Sequence, residues 1–284
     1  MMHLLTLGHG YTAQALARRV RAAGGTVTGT TRTPEHAAAL RAQGWDVVVW
    51  PGTDLAPLLA RATHVLVSMA PGEAGDPLLA ADRAAFAGAR LDWLGYLSTT
   101  AVYGDHDGAW VDEDTPLTPS TRRGAQRVAA ETAWRALAAE AALPLHIFRL
   151  AGIYGPGRGP FEKVREGTAR RILKPGQVFS RIHVEDIATA LMASIAAPSP
   201  GSAYNLCDDD PAPPEDVIAH AATLLGLPLP PAVDFATAEM TPMARSFYME
   251  NKRVRNDRMK RLGFTLAYPT YREGLAALLA AEAE

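Results

Sequence analysis

Six residues near the amino terminus carry the most specific chemistry in the chain. Gly8-His9-Gly10-Tyr11-Thr12-Ala13 follows the apolar run His3–Leu7 and opens a segment in which Ala13, Leu16, Ala17 and Val20 share one helical face. The pattern is G-x-G-x-x-A between a strand and a helix. Gly8 permits the tight turn, Gly10 lets the backbone approach a pyrophosphate, and Ala13 is small enough for close helix–strand packing. The first N–H groups of the helix and its positive dipole end then face the phosphates. Gly8, His9, Gly10, Tyr11 and Thr12 are therefore the expected contacts of a dinucleotide. Without a ligand the same residues would be a bare glycine turn.

Three further strand ends add to this expectation. The second strand closes with Thr30-Thr31-Arg32, where a site built for NAD usually carries a carboxylate for the ribose 2′-OH. A guanidinium suits a 2′-phosphate by charge and by its fork of donors, so Arg32 points to NADP(H) in preference to NAD(H). It could equally be a surface residue opening the next helix. After the third strand, Asp54 and Leu55 could bond an adenine amino group and pack on its ring, or Asp54 could cap a helix. After the fourth, Ser68, Met69 and Ala70 should line the cofactor groove.

Five stretches together resemble short-chain dehydrogenase/reductases of the extended, nucleotide-sugar epimerase/dehydratase type, over nearly the whole length. They are the glycine turn, Leu97-Ser98-Thr99-Thr100-Ala101-Val102-Tyr103-Gly104, the run Phe148–Gly157, Ile182-His183-Val184-Glu185-Asp186-Ile187-Ala188, and Tyr204-Asn205-Leu206. The resemblance implies a Rossmann-type α/β fold, a doubly wound parallel sheet with a smaller C-terminal substrate lobe. It also implies that Thr99 hydrogen-bonds the reacting oxygen, an ordinary strand threonine being the alternative.

The family's Tyr-x-x-x-Lys pair is where this chain departs. In Arg123-Gly124-Ala125-Gln126-Arg127-Val128-Ala129-Ala130-Glu131, Gly124 and Glu131 hold the alignment, so Arg123 falls on the tyrosine and Arg127 on the lysine. The tyrosine is a general acid/base. An arginine is always protonated and cannot shuttle that proton. Arg127 could still bond the nicotinamide ribose, and Arg123 could clamp an anion or stabilise an oxyanion. Thr100 and Ala101 occupy the positions where dehydratases carry an acidic pair, which disfavours dehydration. The chain thus resembles atypical members, a likeness shared by Asn251-Lys252-Arg253-Val254 and Leu262–Thr270. Tyr103 could replace the lost acid, though packing is the stronger reading. Arg149, Tyr154 and Arg158 lie where the second lobe begins and could meet substrate; Arg158 and Lys163 could bind a substrate phosphate or carboxylate, or equally form a solvated surface. His183 could titrate there or make a structural hydrogen bond.

The elements that must position these residues alternate. Strands are expected at His3–Leu7, Thr26–Thr30, Asp46–Trp50, His64–Ser68, Leu94–Ser98 and Leu145–Arg149, with helices at Tyr11–Ala23, Glu35–Gln43, Leu55–Arg61, Pro77–Arg90 and Gly124–Ala141. Residues 1–150 are read as the dinucleotide-binding part, its sheet rejoined by 181–208 through the strand Ala203–Cys207. Residues 151–284 form most of the substrate lobe, in which Leu225–Pro231 reads as loop and Pro242–Asn256 shows no strong period.

With 284 residues, 48% hydrophobic, the chain can bury a large core. A net charge of -2 without a basic stripe argues against nucleic acid and anionic membranes. The lone Cys207 excludes an internal disulfide framework and fits a reducing cytoplasm. No signal peptide, membrane span or metal-ligand spacing is read from the chain. Trp134, Arg135, Leu137 and Glu140 share the helix through which such families often dimerise, leaving room for a homodimer. Two functions stay open. One is an NADP-dependent oxidoreductase or epimerase-like enzyme with altered acid/base machinery, acting on an anionic, nucleotide- or sugar-derived small molecule. The other is a non-catalytic dinucleotide-binding redox sensor or regulatory protein.

Overall fold

Ala-rich helical segments and short β-branched runs alternate through the first half of the chain, and the connections return it each time to the amino-terminal end of one parallel sheet. The computed structural model describes residues 1–282, so residues 283 and 284 of the expected second lobe lie outside the described residues. The order begins β1 (His3–Leu7), α1 (Tyr11–Ala22), β2 (Thr26–Thr31), α2 (Pro34–Ala42), β3 (Asp46–Val49), α3 (Ala56–Arg61), β4 (His64–Val67), α4 (Pro77–Ala87) and β5 (Trp93–Thr99). A 3-10 turn, Thr100–Tyr103, then leads to β6 (Trp110–Val111), α5 (Arg122–Ala141) and β7 (Leu145–Leu150).

The second half is more broken. It runs β8 (Gly152–Tyr154), α6 (Phe161–Arg165), β9 (Arg171–Leu173), β10 (Arg181–His183), α7 (Val184–Ala196) and β11 (Ala203–Leu206). It ends with α8 (Pro214–Leu225), β12 (Ala232–Asp234), α9 (Pro242–Phe247), β13 (Arg253–Val254), α10 (Asp257–Lys260) and α11 (Tyr271–Ala281).

Seven parallel strands form the main sheet in the order β11-β7-β5-β4-β1-β2-β3. This is a doubly wound Rossmann arrangement, with its switch point between β1 and β4. Both faces are covered. On one side Leu4, Leu16, Val20, Leu66, Trp93, Phe148 and Leu191 form the core, and on the other Leu5, Leu7, Leu59, Val65, Tyr96, Trp134 and Ile147. Strands buried on both faces read as near-continuous apolar runs, as in Val65–Val67 of β4, whereas β7 is buried throughout yet carries His146 and Arg149.

The expected strands and helices are found with shifts at their ends. The α5 helix starts at Arg122, two residues before its expected Gly124, because the Thr121 side chain accepts from the Gly124 N–H and caps it. The α4 helix stops at Ala87, before Gly88. The later strand β11 does rejoin the main sheet beside β7, whereas β10 pairs with β8 in a separate two-stranded ladder. The aperiodic stretch Pro242–Asn256 contains α9 and β13, and β13 pairs with β6 over only two residues. Tyr154, Phe161, Val217, Ala221, Tyr271 and Leu275 make a separate small core for the C-terminal elements. In it Tyr154 lies against Gly274, where a Cβ would overlap the tyrosine ring.

The 3-10 turn after β5 ends at Gly104, with φ 77° and ψ -150°. This backbone region is essentially restricted to glycine. A Cβ there would also run into the Thr118 carbonyl oxygen. Gly104→Ala is expected to cost at least about 1–3 kcal/mol, read as a lower urea midpoint at unchanged slope.

Candidate functional site

The carboxyl ends of β1, β4 and β5, the start of α5 and the segment around β13 enclose a cleft of about 740 Å³. Tyr11, Thr12, Ser68, Ala70, Thr99, Arg123, Arg127 and Arg158 line it, so the structure brings together eight of the residues singled out from sequence. A smaller hollow of about 370 Å³ lies beside the first turn of α1, between Gly10, Gln14, Arg18, His36 and Pro156. Tyr11 borders both spaces, and its hydroxyl donates to the Pro156 carbonyl oxygen at 3.0 Å. The Arg158 guanidinium stands 5.8 Å from the centre of the Tyr11 ring.

The glycine turn is built for an anion. Gly8 has φ 93°, and a Cβ on it would press on Met69. A Cβ on Gly10 would meet nothing within 4 Å, so that backbone faces open space. Gly10 is the cap residue of α1, no side chain caps the helix, and its first turn carries no acidic residue. The N–H groups of Gly8, His9 and Gly10 are spent on the Thr30 hydroxyl, Thr30 O and Gly8 O, so those of Tyr11, Thr12 and Ala13 in the first turn of α1 are the ones open to a negatively charged ligand. The turn is held from below by the Thr30 hydroxyl, which accepts from Gly8 N at 2.9 Å.

His9 points the other way. Its ring packs on Gly29, where any Cβ would overlap it, and edge-on against Trp45 at 4.8 Å. Its Nδ1 shares a 2.7 Å hydrogen bond with the Thr6 hydroxyl. Only the backbone of His9 remains on the groove side. Burial pushes its pKa down to about 4, with the Arg21 charge acting in the same direction.

At the β5 end, the Thr99 hydroxyl accepts from Ala101 N at 3.2 Å, capping the 3-10 turn while lining the cleft. Arg127 is tied to the strand ends. Its Nη1 donates to Leu97 O at 2.7 Å, to the Tyr96 hydroxyl at 3.0 Å and to Met69 O at 3.4 Å. It thus bridges the loops after β4 and β5. Arg123, one helical turn earlier, is exposed and makes no ion pair among the described residues. Arg122 beside it pairs with Glu73.

Several residues singled out from sequence lie away from the cleft. Arg149 is buried and forks onto Glu131 of α5, with Nη2 at 2.9 Å and Nε at 3.2 Å from its carboxylate oxygens. Its Nη1 donates to the Tyr103 hydroxyl at 2.9 Å, and that hydroxyl donates to Asn205 Oδ1 at 2.7 Å. Tyr103 is fully buried, and desolvation raises its pKa to about 12. Both side chains are committed to the interior. Tyr154 is buried against α11, and burial pushes its pKa far up. His183 caps α7 by accepting from Glu185 N at 3.2 Å, and its ring sits 4.0 Å from that of Tyr268. Asp54 accepts from Ala56 N at the start of α3, and Leu55 is fully buried in the core. Arg32 and Lys163 are exposed outside both spaces.

The cleft also contains residues that the sequence reading leaves out. Gln126, Phe179, Ser246, Phe247, Glu250 and Lys252 line it, and Gln14, Arg18 and His36 line the hollow. The Asn251–Val254 stretch was visible as a likeness, but nothing in its spacing indicates that it meets the β5 end.

The comparisons with known proteins follow this geometry. Residues 4–207 match the model of the NAD dependent epimerase/dehydratase family. Protein YeeZ of Escherichia coli is 30% identical over 286 residues, covering 95% of this chain and 97% of YeeZ. The chain belongs to the NAD dependent epimerase/dehydratase family. A solved structure of a functionally unknown conserved protein from Silicibacter pomeroyi DSS is 60% identical, with a TM-score of 0.94 and 99% of each chain covered. UDP-glucuronic acid 4-epimerase from Bacillus cereus, in complex with UDP-glucuronic acid and NAD, is 17% identical with a TM-score of 0.81. That match covers 99% of this chain and 100% of the epimerase, and it bears on fold alone. No helix among the described residues is long and apolar enough to cross a membrane.

Two outcomes follow. Removing Glu131 leaves the Arg149 charge buried without a partner, so Glu131→Ala should lose about 3–5 kcal/mol of stability in urea unfolding. His9 refuses a proton in the folded chain down to about pH 4 but accepts one near 6.5 when unfolded. Stability should therefore fall as pH drops through that window. In His9→Asn the thermal midpoint should fall less between neutral pH and pH 4 than in the wild type.

Proposed function

We propose that the chain is a nicotinamide-dinucleotide-dependent oxidoreductase or epimerase-like enzyme with altered acid/base machinery. It takes NADP(H) in preference to NAD(H) and acts on a small anionic, nucleotide- or sugar-derived compound. The observation that carries this reading is the convergence of the open glycine turn, the β4 and β5 ends and the two α5 arginines on one cleft.

The residues divide by position. Tyr11 and Thr12 hold the pyrophosphate through backbone N–H groups and the dipole end of α1, while Gly8 makes the turn and Gly10, bare of a side chain, lets the phosphates approach. Ser68, Met69 and Ala70 flank the dinucleotide after β4. Arg127 supplies positive charge beside the nicotinamide ribose, and Thr99 hydrogen-bonds the reacting oxygen. Arg123 and Arg158 attract the anionic part of the substrate. When bound, the dinucleotide supplies hydride chemistry. The Bacillus cereus epimerase carries NAD and a nucleotide sugar in the same fold, which supports placing both ligands along this cleft. The cofactor preference rests on the end of β2, where Thr31 and exposed Arg32 stand and no carboxylate is present to favour a ribose 2′-OH.

The second reading, a dinucleotide-binding module without catalysis, is favoured by one detail. Arg127 Nη1 already has three acceptors within the protein, and Arg123 cannot shuttle a proton. Tight cofactor binding with no NADPH consumption across a panel of carbonyl compounds would select it.

Calorimetric titration of the protein with NADPH and NADH, repeated on Arg32→Ala, tests the cofactor assignment. NADPH should bind about tenfold or more tightly than NADH, a gap of about 1.4 kcal/mol, and the gap should close in Arg32→Ala. Binding of neither nucleotide overturns the proposal.

A further inference from the structure

The charged and titratable side chains lining the large cleft are Tyr11, Arg122, Arg123, Arg127, Arg158, Glu250 and Lys252. The four arginines keep their protons throughout the accessible pH range. Tyr11 spends its hydroxyl hydrogen on Pro156 O, and burial raises its pKa further from neutrality. Proton transfer at the cleft wall is thereby left to one carboxylate and one ammonium.

These two groups form a built pair. Lys252 Nζ donates to Glu250 Oε2 at 2.7 Å and to the Gly104 carbonyl oxygen at 2.6 Å. An ammonium has three N–H donors, so one is left over. The other Glu250 oxygen accepts from the Ser120 hydroxyl at 2.8 Å, and Gln177 fixes the Glu250 backbone carbonyl at the same distance. Both side chains are about nine-tenths buried, at 9% and 10% exposure, yet both border the cleft. Taking an ion pair out of water is costly, and a strut alone would not require it to sit at a ligand-sized opening. Gly104 closes the turn whose other end is Thr99, so Lys252 is tied to the same short segment as the residue expected to hold the reacting oxygen.

We propose that Lys252, positioned by Glu250, is the proton donor of this cleft, in the role that Arg123 cannot fill. The inference rests on the reading above, in which the cleft takes a nicotinamide dinucleotide and a carbonyl compound. In the reduction of a ketone or aldehyde, hydride brings two electrons from the reduced dinucleotide to the carbonyl carbon and forms the new C–H bond. The C=O π electrons move to oxygen, and that oxygen takes a proton from Lys252 Nζ. The neutral amine regains a proton from water at the open side of the cleft. The reverse reaction uses the neutral amine as base.

Pyridoxal 5′-phosphate followed by borohydride tests this without a known substrate. Its aldehyde offers a carbonyl to an amine, and its phosphate suits the arginine-rich wall. The chain has four lysines, Lys163, Lys174, Lys252 and Lys260, so peptide masses can resolve each one. Lys252 should be labelled, and saturating NADPH should slow its labelling about tenfold while exposed Lys163 and Lys260 react as before. Lys252 left unlabelled while Lys163 and Lys260 react would overturn the proposal, since the ammonium would then be a closed strut. Labelling is measured first without dinucleotide, so failure of the cofactor reading, seen by calorimetry, is distinguishable from failure of this one.

Lys252→Arg and Lys252→Met supply the second readout. Both should bind NADPH as the wild type does, and both should lower kcat for any carbonyl compound reduced by the wild type about a hundredfold or more. Lys252→Arg keeps the charge and the donors, so it decides even if Lys252→Met fails to fold. Full activity in Lys252→Arg would also overturn the assignment, because an arginine cannot give up the proton.

Discussion

The geometry around the cleft depends on one buried ion pair. Arg149 leaves β7 at 4% exposure and meets Glu131 of α5 at 2%. Ser98 of β5 donates to the same carboxylate at 2.6 Å, and Tyr103 links the guanidinium to Asn205 of β11. Buried charges are tolerated only with their partners in place, so β5, β7, β11 and α5 hold a common register. Because α5 cannot slide over the sheet without breaking this network, Arg123 and Arg127 keep their places at the cleft. The pair is therefore better read as the element that orients the site than as part of it.

Much of the architecture could be read from sequence because hydrophobic period and turn chemistry are local. The strand–helix alternation, the glycine turn and the positions lining the β4 and β5 ends depend on residues a few places apart. What escaped depends on distant partners. Arg149 looks like a substrate ligand until Glu131, 18 residues away, is found beneath it. Tyr103 looks like a candidate acid until Asn205, 102 residues on, takes its hydroxyl. The inward turn of His9 follows from the absence of a side chain at Gly29. Glu250 and Lys252 escaped because β13, which brings them in, pairs over two residues and has no periodic signal.

The lining of the cleft is of two kinds, Arg122, Arg123, Arg127 and Arg158 with Thr99 and Thr100, and Val178, Phe179, Phe247 and Val254. A ligand that satisfies both carries an anionic group and a flat or apolar part. The arginines of that cleft come from α5 and the segment before α6, whereas its carboxylate and its ammonium come from the segment leading into β13, so fixed charge and exchangeable protons are supplied by different parts of the chain.

The hydrogen bond from Tyr11 to Pro156 has a kinetic consequence. Tyr11 borders both the hollow beside α1 and the large cleft, and this bond ties it to Pro156 on the hollow's side. A molecule long enough to occupy both spaces must displace this bridge or thread beneath it. Where breaking it is slower than diffusional encounter, that step sets the association rate, and a bridge reformed over the molecule would lengthen its residence.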